Sequence, residues 1–374
     1  MTQQDLLPQS QVGKGRSQLI SAVQNTPAWA KLADLDWPED ISFGFNLQWP
    51  SFFSPRPVIE PASLILLAFH TEPVDLVFIR EICLEHPEST VLILHDGSIE
   101  KQPEWSDRVH WTKWITWGHQ TRHISQVYKI DPRPRTSRYH LSSLSHRIDL
   151  FKCYVTAVLL QHPRRRDFLI SWHRNRTLHT EGTAPEKYAQ RGDEYLDSLA
   201  AWALAHDTVL ADDWYSVEHN NPISNSNWDH PAYMDAVINI SNESFWHTFR
   251  EGCDYVYPGP FFTEKTWKPI MAGCPFLAVG QAHSYQALTE VGFRFDYGLD
   301  LSYDCILNDH QRAKQILLLL DQVASMDTQQ LKSMTQPSAD HNRDHVFSNG
   351  LVNACDLINT ASLEYISDVI KQTQ

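Results

Sequence analysis

The sequence predicts an α/β protein made of two β/α domains. Three observations carry this. Short apolar runs suited to buried strands alternate with stretches whose apolar residues recur at helical spacing, the pattern of a parallel sheet with crossover helices. The chain of 374 residues is longer than one ordinary hydrophobic core accommodates. The segment Asp131-Pro132-Arg133-Pro134-Arg135-Thr136 sets two prolines among alternating charges. It can continue neither a helix nor a central strand, so it reads as a linker.

The elements follow in order. Residues 1–135 offer no motif. Residues 62–69, 90–95 and 109–115 read as strands, and the spacing of Leu76, Val77, Ile79, Ile82 and Cys83 predicts a helix over 74–86. This β-α-β order favours parallel pairing. After the linker, 139–144, 168–172, 236–240 and 275–279 read as strands, and 148–161, 194–206, 284–291 and 311–326 as helices. Residues 216–231, rich in Asn, Ser and His, read as a long loop. Thr263 is a good N-cap, Glu264 favours a first turn, and Gly273 and Pro275 break the short helix that follows. The expected domains are therefore 1–135 and 136–345, with 346–374 a C-terminal helix returning toward the first.

Composition narrows the function classes. With 42% hydrophobic and 20% charged residues, the balance is that of a soluble globular protein. No run approaches the roughly 18 apolar residues of a membrane span. The polar N-terminus reads as lacking a secretory signal. The expected location is cytoplasmic, with peripheral contact at the inner membrane as an extension. A formal charge of −14 argues against nucleic acid as a partner, which needs a basic face. The local exception is Arg164-Arg165-Arg166, with Arg174 and Arg176 after it. It reads either as a solvated helix end or as a rim facing phosphate, an anionic membrane or polysaccharide. Six cysteines without CxxC or metal spacing read as reduced thiols. No HExxH set and no credible Asp-x-Asp is present, so no metal is expected. Trp105, Trp111, Trp114 and Trp117 read as core or as stacking platforms for sugar rings.

In open α/β sheets ligands sit beyond the carboxyl ends of the strands. That rule selects Ser145-His146-Arg147, His173-Arg174, the run Ser241, Asn242, Glu243, Ser244, and the loop before Thr263. A helix N-terminus beside a mobile ammonium attracts an anion twice over. Lys265 is therefore the candidate point charge on a diphosphate, with Lys268 one turn on in support. Arg147 and Arg174 are further phosphate candidates. Glu264 could accept from a ribose, since a carboxylate only accepts. Asn242, Glu243 and Ser244 either position sugar hydroxyls or cap the next element. Asp300 and Tyr303 either touch the donor or shape a turn. A transfer reaction also needs a base. Glu72 and Asp96, which follow the first two strands, are the candidates.

The run Phe261-Phe262-Thr263-Glu264-Lys265-Thr266-Trp267-Lys268-Pro269-Ile270, with the tail Ala272-Gly273-Cys274-Pro275-Phe276-Leu277-Ala278-Val279-Gly280, resembles the nucleotide-sugar motif of family 10 fucosyltransferases. There a Tyr-x-Thr-Glu-Lys run precedes Ala-Gly-x-x-Pro-x-x-x-Gly. It is more similar still to bacterial and viral glycosyltransferase-like proteins with a Thr-Glu-Lys-Thr-x-Lys-Pro-Ile run. Residues 238–244, Gly292-Phe293-Arg294-Phe295 and the segment from Asp300 to Asp304 extend the likeness over 136–345. The resemblance implies the GT-B architecture, two Rossmann-like domains facing a cleft. It implies metal-independent transfer of a sugar from a nucleotide-sugar donor to a glycan or glycolipid acceptor in bacterial surface polysaccharide synthesis. The motif Glu and Lys would contact the nucleotide, and Arg147 would match an arginine of the family. Phe261 takes the place of the family's tyrosine, so it can stack on the nucleotide but donates no hydroxyl bond. The alternatives are a catalytically inert GT-B-like glycan-binding or partner-assisting protein, a transferase of another nucleotide-activated group, and an epimerase-like enzyme.

Overall fold

The computed structural model describes residues 11–24, 26–45, 58–69, 74–95, 107–119, 121, 134–145, 150–172, 193–206, 230–243, 255–256, 259–260 and 262–374. The fold is α/β, with a mixed sheet, a parallel sheet and a two-stranded antiparallel pair. It divides into two compact units. One holds 1–129, 248–261 and 346–374; the other holds 130–247 and 262–345. Residues 248–261, placed with the second domain on sequence, cluster with the first unit, where the short strand Tyr255–Val256 pairs with Val74–Asp75.

The first unit is a five-stranded sheet. Strands β1 (Gln11–Lys14), β2 (Ile41–Phe45), β3 (Leu64–Phe69), β5 (Thr90–His95) and β6 (Val109–Lys113) lie side by side in that order. Only the edge pair β1–β2 is antiparallel. The two-residue β4 (Val74–Asp75) lies outside this sheet. Side chains alternate across a strand, and here both faces are apolar. Leu64, Leu66, Ala68, Leu92 and Leu94 pack with Leu19 and Val23 of helix α1 (Arg16–Val23), and with Ile366, Val369 and Ile370 of the C-terminal helix Gly350–Thr373. Ile65, Leu67, Phe69, Val91 and Ile93 pack with Phe78, Ile79 and Ile82 of helix α2 (Leu76–Glu85). The C-terminal helix is also keyed by polar bonds. Asn359 accepts from the Ile115 N–H at 2.7 Å and donates to its carbonyl at 2.8 Å. Trp111, Trp114 and Trp117 are buried here. The strands β1 and β2 and helix α1 fall in the region that showed no motif.

The second unit is a four-stranded, wholly parallel sheet. Its strands are β7 (Tyr139–Ser145), β8 (Phe168–Trp172), β9 (Ala236–Asn242) and β11 (Phe276–Val279), with spatial order β8-β7-β9-β11. The chain starts in the middle, steps one way to β8, then crosses back to β9 and β11. Helix α3 (Leu150–Gln161) joins β7 to β8, and helix α5 (Glu264–Ala272) lies between β9 and β11. Parallel crossovers are right-handed, so connections running in opposite directions put their helices on opposite faces. The reversal makes the carboxyl ends of β7 and β9 the topological switch point, where open sheets bind ligands. Helices α4 (Glu194–Ala205), α6 (Ser284–Glu290), α7 (Asp309–Ser325) and α8 (Thr328–Phe347) complete the unit.

Candidate functional site

The carboxyl edge of the second sheet is where the sequence candidates meet. Ser145, Trp172, Asn242 and Val279 are each the last residue of their strand. Register pairs Ser145 with Trp172 and Asn242 with Val279, so the four ends are flush. The Asn242 amide nitrogen donates to the Ser143 hydroxyl at 2.9 Å and lies 3.1 Å from that of Ser145. Those two bonds bridge β7 and β9 across the switch point. Strands of a buried parallel sheet are usually near-continuous Val, Ile and Leu. Here Ser142, Ser143, Ser145, Asn239, Ser241 and Asn242 are all buried in its centre.

Ser241, one position back, points to the other face, and that face carries α5. Pro269 lies inside this helix and has no N–H for the Lys265 carbonyl four residues before it. The Ser241 hydroxyl lies 2.8 Å from that oxygen and supplies the missing donor. The helix start is fixed from β9 as well. Glu243, 5% exposed, accepts from the Thr263 N–H at 3.1 Å, the Thr263 hydroxyl at 2.6 Å and the Thr266 hydroxyl at 2.6 Å. Thr263 in turn caps the Lys265 N–H. Gly273 ends the helix in the left-handed region at φ 65°, which suits glycine.

Asn242, Glu243, Thr263 and Lys265 thus gather at one sheet edge. Their parts differ from one another. Glu243 spends its carboxylate holding the helix start. The Lys265 ammonium, half-buried, lies 3.2 Å from the Thr263 hydroxyl, over the helix N-terminus. Lys268 is 3% exposed, not a solvated helix lysine. Glu264 opens the helix. Glu72, Asp96, Arg147, Arg174, Ser244 and Phe261 lie outside the described residues.

Asp300 and Tyr303 fall elsewhere. Asp300 is exposed and accepts from the Ser302 N–H at 3.0 Å, a turn contact that lowers its pKa. Tyr303 is buried and donates to the Ala278 carbonyl of β11 at 2.8 Å. Burial drives its hydroxyl well above the usual range. With Ser302, Gln315, Leu318 and Gln322 the two line a groove of about 90 Å³, below the several hundred Å³ usual for a ligand pocket. Next to them Asp304 caps α6, accepting from the Tyr285 and Gln286 N–H groups at 3.0 and 3.1 Å, and burial raises its pKa.

The basic run sits at the opposite, amino edge of the sheet, before β8. Arg164 donates to the Ala324 and Met326 carbonyls at 3.0 and 2.6 Å and ties down the end of α7. Sequence reading also missed Arg135, assigned there to the linker. It donates to the carbonyls of Tyr233, Gly273 and Ala236 and to Gln336. An arginine just before a strand start, facing several strand ends, was the available signal.

At the carboxyl edge two buried polar atoms have no hydrogen-bond partner among the described residues: Asn242 Oδ1 and Trp172 Nε1. Leaving such a group unpaired costs about 1–3 kcal/mol, and natural structures keep few of them without a reason. The edge thus offers a helix start with a lysine for an anion and a neutral polar row beside it. Comparisons with protein-family models, curated proteins and solved structures return no match for the chain.

Proposed function

We propose that the protein is a glycosyltransferase of GT-B architecture, using a nucleotide-sugar donor and a glycan or glycolipid acceptor without a metal. The observation that carries this reading is the placement of the Thr263-Glu264-Lys265 helix start at the switch point of a parallel sheet. A diphosphate there would meet the positive dipole end of the helix and the Lys265 ammonium. Those attractions strengthen as the leaving diphosphate gains charge, so the same groups that hold the donor favour its departure. The fold alone licenses no chemistry; the resemblance of residues 261–280 supplies the substrate class. Glu243 is committed to the helix cap, and Glu72 and Asp96 remain the candidate bases for the acceptor hydroxyl.

The test is a thermal-shift panel of GDP, UDP, CMP and ADP on the wild type and Lys265→Ala. Stabilisation by one nucleotide, lost in the variant, supports the reading and names the donor class. Absence of stabilisation by all four turns it toward an inert glycan-binding module.

A further inference from the structure

The flush row at the carboxyl edge carries more than the anion site. Trp172, Ser145 and Asn242 share one face of the sheet, on three neighbouring strands. That is the face away from α5, because Ser241, which meets α5, alternates with Asn242. Trp172 is 0% and Asn242 1% exposed. Trp172 Nε1 is a donor, Asn242 Oδ1 an acceptor, and neither has a partner among the described residues. Turning the Asn242 amide would exchange donor for acceptor, but the two serines would still occupy one end and leave the other open. The row holds no ionisable side chain.

We infer that the row Trp172-Ser145-Asn242 is a subsite for the uncharged, hydrogen-bonding ring of the ligand whose anionic part lies at Lys265. This rests on the nucleotide-sugar reading for the anion, while the row itself selects only a neutral ring with donors and acceptors, a nucleoside or a hexose. The two faces meet at the switch point, so one ligand can cross it, with phosphate on the α5 side and ring on the other.

The indole N–H signals in a ¹H–¹⁵N spectrum test this directly. The Trp172 signal is identified among thirteen tryptophans by its loss in Trp172→Phe. The probes are uridine, guanosine, glucose and mannose, then UDP and GDP. A Trp172 shift with a nucleoside assigns the row to the nucleoside; a shift with a hexose assigns it to the transferred sugar. Asn242→Leu should weaken the active probe about tenfold, the worth of one buried hydrogen bond. That affinity remains measurable if Trp172→Phe fails to fold. Lys265-dependent binding of UDP or GDP that leaves the Trp172 signal unmoved overturns the inference and spares the proposed function. A Trp172 response to neutral probes without nucleotide binding does the reverse. Silence toward every probe overturns both.

Discussion

The two edges of the second sheet are built on opposite plans. At the amino edge the described donors Arg135, Arg164 and His140 bond chiefly to carbonyls. Arg135 holds three carbonyls and Gln336, Arg164 holds the end of α7, and His140 bonds the Val323 carbonyl at 2.7 Å and the Thr328 hydroxyl at 3.0 Å. At the carboxyl edge, polar groups are equally buried, yet Asn242 and Trp172 keep an atom without a partner among the described residues. The first edge is held closed mainly by these bonds, and the open polar atoms of the second are the ones the proposed ligand site would use. Charge alone would have misled: the arginine-rich run lies at the closed edge.

Breaking the closed edge should cost most. Arg135→Ala removes a donor from the Tyr233, Gly273 and Ala236 carbonyls, of which Gly273 keeps Gln336, and urea unfolding should show a loss of about 2–4 kcal/mol. Arg135→Lys should recover little of it, because an ammonium cannot reproduce the planar fork. An unchanged urea midpoint in Arg135→Ala would remove the contrast between edges.

The helix that carries Lys265 gives the next effect. Ser241→Ala orphans the Lys265 carbonyl and should cost about 1–2 kcal/mol. Pro269→Ala restores the N–H that the carbonyl otherwise lacks. In a double-mutant cycle the combined variant should therefore lose less than the sum of the two. Strict additivity would show that Ser241 does not serve that carbonyl.

The smallest effect is in pH dependence. Burial holds the His140 pKa below its ordinary value, helped by the nearby Arg164 charge and opposed by the Val323 hydrogen bond. The neutral ring is favoured in the folded state, so its stabilisation is complete above the unfolded value of about 6.5. It is lost as pH falls through the lower folded value. His140→Gln should flatten this part of the stability profile, seen as a wild-type minus variant difference that shrinks on acidification. A difference independent of pH would show that His140 titrates alike in the folded and unfolded chain.

Much of this architecture was legible in the sequence because it is written in apolar periodicity. The strands at 64–69, 90–95, 168–172 and 276–279 are short runs bounded by breakers, and the Thr263 cap with its Gly273 stop has a local chemical signature. Helix α8 was not legible. Its buried stripe includes Thr335, Ser338 and Asn342, and it contains Pro337. Asn342 and Ser338 accept from the Arg294 and Asp296 N–H groups at 2.7 and 3.0 Å, so its packing face sets polar groups between Leu331, Ala339 and Val346 and breaks the apolar period. The site was half legible. The motif pointed to Lys265, but the part of Glu243 as an anchor of α5 and that of Trp172 in the edge row depend on partners distant in sequence. Strand register alone brings them together.

The most direct test of the two-edge account is calorimetric titration of the preferred nucleotide into wild type, Lys265→Ala and Arg166→Ala, at one ionic strength. Arg166 is exposed at the closed edge. The account predicts binding lost in Lys265→Ala and retained in Arg166→Ala. Binding retained in Lys265→Ala and lost in Arg166→Ala would place the anion at the amino edge and contradict it.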